Sequence, residues 1–457
     1  MLKTTTVAVA LLCWAAAAQD AKTALEAAAK AMGAGDLKSI EYAGSGASFT
    51  LGQNVSPAVP WPRVEVKSYR RAIDYATPAS REEITRPQGT AVQLVAGNTA
   101  WNMAGNNPAP APTAVVERLT QVWLTPHGFL KGALANNATA KSSAAGGRKV
   151  TTISFLAHGK QRVSGVLNDQ NLVEKVETTI ANPVLGDMPV EVLYSEYRDF
   201  GGVKFPGKIV QRAGGFPTLE LTVNEVRPNA AVKIDPPQAM RGATAPPIRV
   251  ETAKLAEGVW YLTGGSHHSL AVEFKDHVTV IEGPLNDDRS RAVMAEVKKT
   301  VPSKPIRYLI NTHHHFDHSG GLRAYVEEGV KIVTHKINQP FYAKAFGGGK
   351  RKPSLVTFTG KRVFTDGTQT LELHHIQGNP HNEGILMAYF PKHKLLAEVD
   401  VYTPAAPNAP APATPSPASV NLYENIQRLK LDVAQIAALH GRAVPLAELE
   451  KAIGKAK

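Results

Sequence analysis

The eleven residues from Asn311 to Gly321 read NTHHHFDHSGG, and they constrain the chain more than any other stretch. Within them His313, His315, Asp317 and His318 form the pattern H-x-H-x-D-H. Side chains two apart on an extended segment project to the same side, so His313 and His315 can share one ion. Asp317 and His318 are adjacent, diverge, and can serve a second ion beside it. Imidazole and carboxylate without sulfur suit zinc, and iron and manganese accept similar sets. Four ligands do not close a two-ion site. His381, in the loop read as GNPHNEG, supplies a third imidazole for the first ion. Asp400, at the end of an apolar strand, can bridge both ions through its two oxygens, and His440 completes the second.

The rest of the chain sets the frame. Its 457 residues are long enough for two or three domains, and 43% hydrophobic with 20% charged residues is ordinary globular composition. Lys3, the apolar run from Val7 to Trp14 and the small residues Ala15 to Ala18 predict an export signal over 1–18. The mature protein is then expected in the periplasm or secreted, with no membrane-spanning segment left after cleavage. A lipid anchor on Cys13 is disfavoured because Leu11 and Leu12 before it are bulky. Cys13 is the only cysteine, so no thiolate ligand and no disulfide is available to the mature chain. The net charge of +12 is scattered. Its densest patch, Lys344 to Arg362, reads as a solvated loop, and no nucleic-acid motif accompanies it.

Residues 19–245 are expected to form a mainly antiparallel β domain. Short alternating runs such as Val64 to Tyr69, Lys149 to Leu156 and Leu219 to Val226 are broken by Gly, Pro and Asn. Helices are expected near Thr113 to Val122 and Pro126 to Leu134, with Asn106 to Thr113 as a Pro-rich surface loop. Pro236, Pro237, Pro246 and Pro247 mark a linker. From 246 to 457 strands alternate with helices, which predicts an α/β domain. Its last long helix is placed at Leu422 to Ala438. All seven proposed ligands lie in this half, so it is expected to hold metal alone. Pro404 to Ala418 is a Pro-Ala tract, extended, and either a loop or a lid.

In order, loop context and separation these residues resemble the metallo-β-lactamase superfamily, over roughly Leu255 to Leu449. The resemblance implies an αβ/βα sandwich with the metals at one edge. It assigns His313, His315 and His381 to the first ion, Asp317, His318 and His440 to the second, and Asp400 to the bridge. His314 is expected to face away. His267 and His268, on an early strand turn, and Tyr402, just beyond Asp400, are expected as substrate contacts.

The chemistry so implied is metal-assisted hydrolysis. Two ions, zinc by preference, generate a metal-bound hydroxide that attacks a small-molecule ester, lactone or related bond, with Asp317 orienting the nucleophile. Authentic β-lactamases of the superfamily generally carry Cys or Ser where Asp400 stands, which disfavours antibiotic hydrolysis. A mononuclear iron persulfide-dioxygenase-like oxidoreductase shares the H-x-H-x-D-H string and is the redox alternative. A noncatalytic envelope binding protein is the third reading, and the intact ligand set argues against it. The oligomeric state is not legible.

Overall fold

The computed structural model describes residues 21–157, 160–346, 351–407, 409–410 and 412–455. The expected export signal and Cys13 lie outside the described residues. The chain forms two units. Among the described residues, the first comprises 21–50, 63–181 and 187–246, and the second comprises 51–62, 182–186 and 247–455.

The first unit is built on one antiparallel sheet of thirteen strands among the described residues. Consecutive strands are neighbours nearly throughout, most of them joined by short turns, while residues 50–62 link the first two. The exception is the centre, where the first strand, Ser39–Phe49, pairs with the last, Phe216–Pro228. Period-two alternation explains the pattern. Along Arg63–Asp74 the residues Tyr69, Arg71 and Ile73 are buried at period two, and Val66 joins them across a shift in the pairing with the first strand. Helices Val115–Trp123 and Pro126–Ala135 interrupt the strands. The second starts at the Thr125 side chain, whose hydroxyl accepts from Gly128 N, with Pro126 in its first turn.

One expectation fails here. Within Asn106 to Thr113, Asn107–Pro110 is a strand, not a loop, paired antiparallel with Thr99–Ala104. It is fully exposed and ends the sheet. Its two prolines are tolerated because an edge strand has one side with no ladder to donate to.

The second unit contains two sheets. One has seven strands, running from Glu251–Ala256 to Leu355–Phe358. Its first four strands are antiparallel, and Val278–Ile281, Ile306–Ile310, Lys331–His335 and Leu355–Phe358 are parallel neighbours. The other has six strands, from Lys361–Thr365 to Ala443–Pro445. Three apolar layers fix the stacking. Val293, Val297, Leu322 and Tyr325 pack helices onto the first sheet. Val272, Ile310, Leu373 and Ala437 join the sheets to each other. Leu422, Ile426, Leu396 and Met387 pack a helix onto the second sheet. Helix, sheet, sheet, helix is the αβ/βα sandwich.

Two corrections concern this unit. Leu422 to Ala438 is not one helix: the helix is Pro417–Arg428, and Gln435–Ala438 is a strand parallel to Leu395–Glu398. Leu422, Ile426, Val433 and Ile436 keep a helical spacing across the break, and all four are buried. The chain leaves the helix at Lys430, whose φ of 52° is left-handed, with no Gly or Pro to announce it. The basic stretch Lys344 to Arg362 is likewise not all loop, since Leu355–Phe358 closes the first sheet and Lys361–Thr365 opens the second.

The second unit also includes 51–62 and 182–186, against a boundary drawn at 245/246 in the sequence. Val184 is 3% exposed within the core layer of Val297, Leu309 and Tyr325, and Arg323 Nη2 donates to its carbonyl at 2.7 Å.

Candidate metal centre

The ligand string leaves the strand Ile306–Ile310, buried at its last two residues, in extended conformation and runs into a short helix, Phe316–Ser319, followed by Leu322–Glu327. Gly320 and Gly321 permit this. A Cβ on Gly320 would stand 2.0 Å from Leu285 O, and one on Gly321 would stand 2.0 Å from Ser290 Oγ. The backbone therefore lies directly on the loop before Asn286 and on the first turn of the helix Asp287–Thr300.

Ligand atoms of His313, His315, His381 and Asp400 lie within 4.8 Å of one another, as do those of His267, Asp317 and His318. Asp400 touches both groups. Its Oδ2 lies 3.5 Å from His313 Nε2, 3.3 Å from His381 Nε2 and 2.8 Å from His318 Nε2. Its Oδ1 lies 2.9 Å from His440 Nδ1. Asp400 follows the strand Leu395–Glu398 with a left-handed φ of 62°, a conformation Asp tolerates better than most residues.

These donors fit a metal. His313 Nε2, His315 Nδ1 and His381 Nε2 are buried without a hydrogen-bond partner among the described residues, and His318 Nε2 has the Asp400 carboxylate alone. Neighbouring orphaned ring nitrogens are costly unless something accepts their lone pairs. The opposite ring nitrogens of three are held. Thr312 Oγ1 is 3.0 Å from His313 Nδ1, Asn54 O is 2.9 Å from His315 Nε2, and Glu282 Oε2 is 3.1 Å from His318 Nδ1. Such partners fix the tautomer and present the other nitrogen to a metal.

The electrostatics agree. Burial holds the pKa of His313 and His315 well below the ordinary value, His315 at about 3, so both rings are neutral and their lone pairs free. His318 differs: burial opposes its charge, but Asp400 and Glu282 outweigh it and hold its pKa high, so a metal ion would have to displace the proton on its Nε2. Burial likewise works against Asp317 and Asp400. His267, His318 and Gln53 overcome it for the first, and His318, His381 and His440 for the second, so both stay ionised.

Several residues here carry no sequence signal. Gln53 Nε2 donates to Asp317 Oδ1 at 2.7 Å. Asn54 presents its carbonyl to His315 and its side-chain oxygen, at 3.2 Å, to His314 Nε2. His314 is therefore turned from the ligand cluster and holds Asn54 and Asn338. Glu282, fully buried with a φ of 69°, accepts from Thr312 N at 2.6 Å while it orients His318.

The three expected substrate contacts separate. His267 joins the second group, 3.4 Å from Asp317 Oδ2, with its ring stacked on His440 at 4.1 Å. His268 Nε2 is 3.0 Å from Gly441 O, its ring edge-on to Tyr261, which is a packing position. Tyr402 is absent from the cluster. Past left-handed Asp400 its amide returns to Glu398 Oε2, and its ring packs with Val401, Leu422 and Ile426.

The sequence model of the metallo-beta-lactamase superfamily matches residues 262–387. The matched stretch lies within the C-terminal unit, and members of that superfamily are generally metal-dependent hydrolases. The alpha subunit of 2,4-dinitroanisole O-demethylase from Nocardioides sp. (strain JS1661) is 28% identical over 144 residues, 31% of this chain and 43% of that one. Linear primary-alkylsulfatase from Pseudomonas sp is 37% identical over 70 residues, 15% of this chain and 10% of that one. Metallo-beta-lactamase type 2 from Elizabethkingia meningoseptica is 28% identical over 120 residues, 26% of this chain and 45% of that one. The chain thus spans less than half the length of each.

Proposed function

We propose that this chain is an exported two-metal hydrolase acting on a small-molecule ester, lactone or related bond. The observation that carries the reading is the position of Asp400, whose Oδ2 stands among His313 and His381 of one donor group and His318 of the other, while its Oδ1 meets His440. His313, His315 and His381 would hold one ion, Asp317, His318 and His440 the other, and His267 stands at ligand distance beside the second group. Zinc is the expected metal, and iron or manganese would suit the same donors.

Two such ions make water a nucleophile near neutral pH and polarise the oxygen of the bond under attack. The protein's share follows from exposure. His313 and His318 side chains are buried, whereas those of His381, Asp317 and His440 are 25%, 33% and 40% exposed. Substrate therefore enters over these three. Asp317, ionised and fixed by Gln53, accepts and orients the proton of the attacking water. His440 and His267 stack on each other beside these donors.

Three activities stand in the names of the relatives: O-demethylation, alkyl sulfate hydrolysis and β-lactam hydrolysis. The test is metal analysis of the purified full-length protein, followed by esters, lactones, thioesters, phosphodiesters, alkyl sulfates, aryl methyl ethers and β-lactams. Two equivalents of metal with hydrolysis in one class is the expected result. One equivalent of iron with oxygen uptake on a persulfide would replace this reading by the redox one.

A further inference from the structure

The first unit holds a cavity of its own, with a volume of about 330 Å³. Seven strands contribute to its walls, and the helix Val115–Trp123 closes one side. Ile84, Val95, Phe205, Ile209 and Leu221 make much of the lining apolar. Three arginines, Arg71, Arg86 and Arg118, face two glutamates, Glu82 and Glu117, across it.

The arginines are unequally committed. Arg118 donates to Leu94 O, Trp101 O and Asn102 Oδ1, and Arg86 donates through Nε to Ser48 Oγ. Arg71 is different. Its side chain is 8% exposed, its Nε donates to Ser80 Oγ at 3.0 Å, and its Nη1 is 3.8 Å from Glu82 Oε2. That separation is too long for a hydrogen bond. The same glutamate oxygen already accepts from Tyr69 Oη at 2.7 Å. A buried guanidinium with its one carboxylate at arm's length is under-matched.

Burial raises the phenols of Tyr42 and Tyr69, so both stay protonated. Tyr69 already gives its one O–H to Glu82, so the Arg71 guanidinium and the Tyr42 hydroxyl are the donors that line the cavity for an oxyanion. The aliphatic and aromatic walls suit an apolar body behind it. The volume is at the lower end of the range of ligand pockets, roughly 300–1,000 Å³, so the occupant is small.

We propose that this cavity binds a small amphiphilic anion, a carboxylate or sulfate on an apolar body, with Arg71 gripping the head group. The site lies wholly in the first unit and does not depend on the hydrolase reading.

Calorimetric titration of the full-length protein tests it, using decanoate, decyl sulfate, decanol and decyltrimethylammonium. Each titration is made with metal chelated and again with metal restored, because a metal centre can itself hold anions. One anion per chain should bind equally in both states, with decanol at least tenfold weaker and the cation not bound. Arg71→Met should lose at least tenfold in anion affinity and leave decanol unchanged. Gln211→Trp, at a half-buried lining position, should block all ligands with an unaltered circular dichroism spectrum. If Arg71→Met does not fold, the head-group comparison and Gln211→Trp decide alone. Absence of anion binding, equal binding of decanol, or binding only in the metal-loaded state would overturn the proposal.

Discussion

Gln53 and Asp317 are 264 positions apart, yet Gln53 Nε2 donates to Asp317 Oδ1 at 2.7 Å. The bond ties a loop from the N-terminal part of the chain to the carboxylate proposed to orient the nucleophile. Gln53→Ala should loosen that carboxylate without removing a ligand. A residue that hydrogen-bonds a metal ligand and holds it in place is worth roughly 10–100-fold in metal affinity. A loss of about tenfold is expected for the second ion and little for the first. Competition with a chromogenic chelator would measure both, and unchanged affinity at both would make the contact incidental.

Glu282 is a sterner case, because it is fully buried and serves two partners. Glu282→Gln keeps the shape but removes the charge that holds His318 in its tautomer. Metal affinity should fall roughly 10–100-fold while the fold survives. Glu282→Ala also strands the Thr312 amide, which now donates to Glu282 Oε1. An unpaired buried amide costs about 1–3 kcal/mol, so this variant should unfold at lower urea concentration even without metal. Equal stability of the two variants would show that the amide finds another acceptor.

The extent to which this centre was legible follows from locality. Residues 313–318 announce themselves because donors crowd one extended segment, where backbone geometry alone decides which share a side. Gln53 and Asn54 do not, since a polar loop residue has no periodicity and its partner is fixed only by the tertiary fold. Glu282 ends a strand, where a glutamate is ordinarily solvated. The strand Gln435–Ala438 was hidden because its buried positions continue a helical spacing past the turn at Lys430. The two interleaved segments, 51–62 and 182–186, share that obscurity: nothing in their composition says which unit they join. A chain begun near Ile248 would lack Gln53 and Asn54, and so the contacts that fix Asp317 and His315.

The first unit has its own pH response. His127 is fully buried, its ring parallel to Phe205 and its Nε2 3.2 Å from Met32 O. Burial pushes its pKa down to about 4, against about 6.5 in an unfolded chain. Between those values the unfolded state binds the extra proton, so stability falls as pH drops from 6.5 towards 4. At about 1.4 kcal/mol per pH unit, His127 contributes up to about 3 kcal/mol of acid sensitivity. His127→Gln retains a donor for Met32 and cannot titrate. Urea unfolding from pH 7.5 to 4.5 should therefore show a shallower decline for the variant than for the parent. Parallel declines would place the acid sensitivity elsewhere.

Asp400 offers the sharpest discrimination between a two-metal hydrolase and its neighbours. Its carboxylate stands between the two donor groups, so when both are occupied its charge offsets part of the repulsion between the ions. Asp400→Ala should lose mainly the second ion, left with Asp317, His318 and His440, while His313, His315 and His381 keep the first. The backbone complicates this variant, since a left-handed φ of 62° is unfavourable for alanine. Asp400→Asn separates the two effects. Asparagine accepts that φ and preserves the shape, so only the charge and one strong donor oxygen are lost. Its second-site affinity should fall between those of the parent and Asp400→Ala, with stability near the parent's. Zinc titration of each variant, with hydrolysis assayed at every step, reads both ions. Two tight ions and full turnover in Asp400→Ala would mean that Asp400 bridges nothing, and the two-ion mechanism would fall with it.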